Sequence, residues 1–115
     1  MLKIRPVQLK SMHEAMVSDF VQELQYYLRS KYPKLIAHLS DDEAHREAQR
    51  LVALARHYGF SIKSVIKRFA ILCLEQGEGF DSSPKVQRLL LDATAGEKQR
   101  ITQTEQYFAD TAPHN

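Results

Sequence analysis

The chain contains no tryptophan, a single cysteine, and only four glycines and four prolines in 115 residues. One cysteine excludes an internal disulfide, and no second thiol stands ready to complete a metal site. Cys73 falls among Ile71, Leu72 and Leu74, which reads as a small core residue. No basic neighbour marks it as a reactive thiol. No apolar run approaches the ~20 residues that a membrane span requires. The opening Met-Leu-Lys-Ile-Arg-Pro lacks the apolar stretch of a secretory leader, so the expectation is a cytoplasmic protein with no membrane association. A formal charge of +2 is too small to imply a nucleic-acid partner by itself. Internal repeats and low-complexity segments are also missing.

What is present is amphipathic helix. Apolar residues make up 43% and charged residues 26%, enough for one domain with a single core. Pro6 suits the first helical position, Gln8 the third, and Ile4 can staple onto Leu9. Leu9, Met12, Met16, Phe20, Leu24, Tyr27 and Leu28 then recur at steps of three and four, the face of a long first helix. Pro33 closes it near Tyr32. Leu35, Ile36 and Leu39 make a short connector of about one turn.

Ser40-Asp41-Asp42-Glu43 reads as a capping box. It opens a helix with Ala44, Ala48, Leu51, Val52, Ala55 and Tyr58 on one face, stopped by Gly59-Phe60. Ser61 is then expected to cap a helix that turns Ile62, Val65, Ile66, Phe69, Leu72 and Cys73 inward and ends at Gly77. Pro84 opens a shorter helix with Val86, Leu89 and Leu90. Ala95-Gly96 interrupts the pattern. A last helix from about Glu97 carries Ile101, Thr104 and Phe108. Nothing alternates with period two for long enough to form a strand. The expected fold is all-α: a single helical domain over residues 1–110, a bundle of four to five helices with a long N-terminal one. A flexible polar tail is expected over 111–115.

No catalytic, metal or cofactor constellation emerges, so the chain reads as a non-enzyme. His13-Glu14-Ala15-Met16-Val17 has valine where a zinc protease needs its second histidine. His45 and His57 have no further ligand beside them and suit solvent or helix ends. Asp41, Asp42, Glu43 and Glu47 crowd a helix N-terminus, where the dipole accounts for them, and Arg46 and Arg50 follow at pairing distance. Gly77-Glu78-Gly79 follows a helix and lacks the Gly-Lys-Ser/Thr ending of a phosphate loop.

Three features point to binding. Residues 51–68 resemble a helix-turn-helix, with Ala55, Gly59 and Val65 at suitable spacing and Lys63, Lys67 and Arg68 available to phosphates. Ile62 and Ile66 argue against it, because they put apolar groups on the helix that must read bases. Tyr26-Tyr27 near the end of the first helix combines two residues favoured at interfaces. The segment Gly77-Glu78-Gly79-Phe80-Asp81-Ser82-Ser83-Pro84 places one aromatic between glycines in a polar loop. Phe80 either folds back onto the core or projects to a partner. Glu78 and Asp81 are expected to be exposed beside it.

The order of these features resembles a family. Asp19-Phe20, Leu24, Leu28 and Tyr32-Pro33 in the first helix come before Tyr58-Gly59-Phe60. Gly77-x-Gly-Phe80-Asp81, Pro84 and a leucine-rich helix follow. Over residues 4–105 this is similar to small helical proteins encoded beside effector and spike genes of bacterial type VI secretion systems. The chain departs from the pattern at Gln87-Arg88, where many members carry tryptophan. The resemblance implies an adaptor or chaperone for a secreted effector or spike component. An immunity protein against a neighbouring toxin is the alternative it leaves, beside the DNA-binding reading of residues 51–68. It implies no catalytic residues.

Overall fold

The computed structural model describes residues 6–111, with side chains from 17 to 110. Ile4 and the tail beyond 111 lie outside those residues, and the expectations for Leu9, Met12, Met16 and the His13-Glu14 pair concern side chains outside the described ones. The described residues form six α-helices: α1 Pro6–Lys31, α2 Pro33–Ile36, α3 Asp41–His57, α4 Lys63–Gln76, α5 Pro84–Leu90 and α6 Glu97–Thr111. A 3-10 turn spans Phe80–Ser82. No strand occurs among the described residues, so the fold is all-α. The long N-terminal helix is there, and the expected connector is the single turn of α2. No described helix is long and apolar enough to cross a membrane.

The chain divides into two units between Val52 and Ala53, inside α3. In the first, Phe20, Val21, Leu24 and Leu28 of α1 are buried, as are Ile36 of α2 and Ala44, Ala48, Leu51 and Val52 of α3. The connector is held by polar side chains from α1. Arg29 donates through Nη1 to the Ile36 carbonyl (3.1 Å) and through Nη2 to the Leu39 carbonyl (3.2 Å) and Asp41 Oδ1 (3.3 Å). A guanidinium beside the carbonyls that end a one-turn helix supplies donors those carbonyls otherwise lack. Gln25 Nε2 donates to the Asp41 carbonyl at 3.1 Å, which fixes where α3 begins. The capping box is made in both directions: Glu43 N–H donates to Ser40 Oγ (3.2 Å) and Ser40 N–H to Glu43 Oε1 (3.0 Å). The Ser40 N–H first, and the Ser40 hydroxyl second, hold the Glu43 carboxyl below its usual range.

In the second unit α3 ends as the Gly59-Phe60 pair requires. Gly59 has φ +83°, its N–H donates to the Arg56 carbonyl (2.9 Å), and Phe60 N–H reaches back to the Ala55 carbonyl (3.0 Å). Buried here are Ala55, Tyr58, Phe60, Val65, Ile66, Phe69, Ala70, Leu72, Cys73, Val86, Leu90, Ile101 and Thr104. Thr104 is the one buried polar residue of this group, and its hydroxyl donates to the Arg100 carbonyl one turn earlier (2.8 Å).

Two expectations for α4 fail at its start. Ser61 does not cap it; Ile62 holds the cap position without a side-chain bond. Ile62 is 38% exposed instead of inward. Both differences share a cause, the first turn of α6. Glu97 Oε1 accepts the N–H groups of Ser61 and Ile62, each at 2.8 Å, and Glu97 Oε2 accepts the Ser61 hydroxyl at 2.9 Å. The Ser61 side chain is therefore committed to α6, and Ile62 precedes the helix proper.

Candidate partner-binding site

Three arrangements, two polar and one aromatic, fix the second unit and present its loop. The first is centred on α6. Arg100 Nη1 donates to the carbonyls of Tyr58 (2.7 Å) and Leu90 (2.8 Å), the C-terminal ends of α3 and α5. Its guanidinium carbon lies 5.0 Å from the centre of the Phe60 ring, within cation–π range. Glu97, one turn earlier, takes the N–H groups before α4. One turn of α6 thus supplies an anion to a helix N-terminus and a cation to two helix C-termini, each matched to the local dipole. Burial pushes the Glu97 carboxyl up, but the bonds from Ile62 and Ser61, with the Arg100 charge, outweigh it and hold the group below its usual range.

The second is a row of rings. Phe69 lies 5.9 Å from Tyr58, 5.4 Å from Phe60 and 6.0 Å from Phe80; Phe80 lies 5.7 Å from Phe108, and Tyr107 follows at 5.2 Å from Phe108. All are at tilted or edge-on angles, the arrangements that ring quadrupoles favour. The third is a tie. Tyr58 O–H donates to Asp81 Oδ2 at 2.7 Å. Burial and then this bond push the Tyr58 hydroxyl well above its ordinary value.

The loop over 77–84 hangs on these. Gly77, φ +89° and ψ 170°, ends α4, and its N–H donates to the Cys73 carbonyl at 3.0 Å. Gly79 is left-handed at φ +85°. Between them Glu78 is exposed, as expected. Phe80 is half-buried with its ring against Phe69 and Phe108, so it folds back onto the apolar residues of its unit. Asp81 corrects an expectation: it is half-buried, because its carboxylate is held by Tyr58.

Tyr26 and Tyr27 belong to the first unit and separate from each other. Tyr26 is 76% exposed. Tyr27 is half-buried and tilted against Tyr32, with ring centres 6.0 Å apart. A step of about 100° around an α-helix accounts for this: Leu24 and Leu28 face inward, Tyr27 flanks them, and Tyr26 points away.

The remaining candidates read as structural. His45 Nδ1 meets Gln25 Oε1 at 3.2 Å, and the exposed His57 packs edge-on against Tyr58 at 5.2 Å. Glu47 accepts from Arg50 on the surface of α3. No group of three His, Cys, Asp or Glu among the described residues is placed to hold a metal ion. In the segment 51–68, Arg68 is engaged by Glu105, with Nε donating to Oε2 at 3.0 Å, and donates to Thr102 Oγ1 at 3.1 Å. One of the three cations offered to a DNA backbone is thereby committed to α6. A shallow depression lies along α5, lined by Pro84, Gln87, Arg88 and Leu91 at helical spacing.

Sequence reasoning missed Glu97 and Arg100. At i,i+3 on one helix they read as a surface ion pair, and nothing in the sequence says that both reach across to residues 58–62. Comparison with protein-family models, curated proteins and solved structures gave no match for this chain.

Proposed function

We propose that this protein is a non-enzymatic binding module, an adaptor or chaperone that engages a secreted effector or spike component of a type VI secretion system. Tyr26 is the observation that carries the binding part of this reading. A tyrosine 76% exposed on a helix with a well-buried opposite face contributes little to folding, yet offers a large, rigid, amphipathic surface to a partner. The loop over 77–84 adds a second element: Glu78 offers an exposed charge between two glycines in conformations that favour glycine. The partner's identity is supported only by the order of sequence features.

The test is co-purification with each protein encoded beside this one. Wild type is expected to retain an effector or spike protein through gel filtration. Charge reversal of the exposed Glu78 separates the loop from the tyrosine pair: loss of co-purification supports the loop as part of the interface, and full retention directs attention to Tyr26 and Tyr27. No retained neighbour, with wild type monomeric throughout, contradicts the adaptor reading. Rescue of cells from a neighbouring toxin would make the protein an immunity factor instead.

A further inference from the structure

The segment from 78 to 82 is fastened at two points. Gly77 precedes it and Gly79 lies within it, both at positive φ. A Cβ on Gly77 would meet nothing within 4 Å, so what requires glycine there is the backbone conformation and not crowding. The fastenings are the Phe80 ring against Phe69 and Phe108, and the Tyr58 hydroxyl on the Asp81 carboxylate. The segment's own bonds stay local: Phe80 N–H donates to the Gly77 carbonyl (3.4 Å), and Ser82 N–H and Oγ both donate to the Gly79 carbonyl (3.0 and 2.6 Å). Among the described residues, the bond to another element is the one from Tyr58, which also approaches the Asp81 carbonyl at 3.5 Å.

Two residues of α4 near this segment have little exposure. Phe69 is fully buried, and Cys73, one turn further along α4, is 5% exposed. Cys73 lies on the same face of α4 as Phe69, and its carbonyl accepts the Gly77 N–H with which the loop begins (3.0 Å).

We propose that residues 78–82 are a strap, latched by the Tyr58–Asp81 hydrogen bond, that swings on Gly77 and Gly79 while the helices stay folded and uncovers the apolar cleft formed by Phe69 and Phe108. The physical basis is unequal attachment. The helices are closed by their own backbone ladders and by Glu97 and Arg100, whereas the strap depends on one half-buried ring and one side-chain bond. Local opening of such a segment precedes global unfolding. The inference rests on the proposed binding role of the loop, in which an apolar side chain of the partner takes the position that Phe80 leaves.

The chain supplies its own reporter, since Cys73 is its only thiol. Its reaction with Ellman's reagent, measured on the full chain without denaturant and without a partner, reads the opening directly. A hydrogen bond to a charged group corresponds to about ten- to hundredfold in the opening equilibrium. Tyr58→Phe and Asp81→Ala are each expected to speed labelling by about that factor. The double variant is expected to be no faster than the faster single one, because both cut the same bond. Asp81→Asn keeps an acceptor oxygen but loses the charge, and should fall between wild type and Asp81→Ala. Amide exchange at 69–72 should be unchanged in every variant. Labelling at the wild-type rate in both Tyr58→Phe and Asp81→Ala overturns the latch. Acceleration matched by equally faster exchange throughout α4 overturns it too, since it reports unfolding of the unit. No partner enters this measurement, so its failure and the failure of the adaptor reading are separate results.

Discussion

Phe69 shows how much one side chain carries. It is fully buried and touches three other rings, so Phe69→Ala removes a ring's volume from a place with little freedom to collapse. The expected loss is about 3–5 kcal/mol, read from the denaturant midpoint at constant slope. A midpoint near wild type would mean that the face of α4 is misassigned. This position was legible from the steps of three and four that link Val65, Ile66, Phe69, Leu72 and Cys73. Ile62 fits the same arithmetic and was misread, because periodicity says nothing about where a helix begins. That boundary is set by Glu97, 35 positions away in the sequence. Asp81 was misread for a related reason: the tyrosine that holds it is 23 residues earlier. The candidate site was thus legible as a loop with one aromatic, and its attachment was not.

At the scale of the element, the two kinds of helix end behave differently. The capping box of α3 is local and visible in four consecutive residues. Ser40→Ala is expected to cost about 1 kcal/mol in thermal or chemical unfolding, and Ser40→Thr to keep most of it. The start of α4 is closed from outside by Glu97, which gives it a pH dependence. A carboxyl held below its ordinary value binds fewer protons folded than unfolded, so its contribution is present above that ordinary value and is lost as pH falls through the folded one. Stability should therefore decline as the medium is acidified below about pH 4.3, the ordinary glutamate value. Glu97→Gln should flatten part of that decline and lower stability at neutral pH. An acid limb of the same slope in wild type and variant would show that Glu97 is not ionised in this role. Glu43 shifts in the same direction. The variant therefore removes one share of the slope and not all of it.

For the whole molecule, helix content and partner binding are separate questions. The circular dichroism spectrum is expected to be helical, and a chelator should leave it unchanged, since no described group of ligands is placed to hold a metal. A spectrum that collapses on chelation would contradict this. Function depends on surfaces that folding leaves unused, and Tyr26 is the most exposed aromatic among the described residues. Titration calorimetry of this protein against a purified effector or spike component of the proposed kind is the most direct measurement. The expected result is saturable binding that Tyr26→Ala weakens by about 2 kcal/mol, some thirtyfold in Kd, with the variant's unfolding midpoint unchanged. Saturable binding with the same Kd in wild type and Tyr26→Ala, or no heat with any such component, would contradict it.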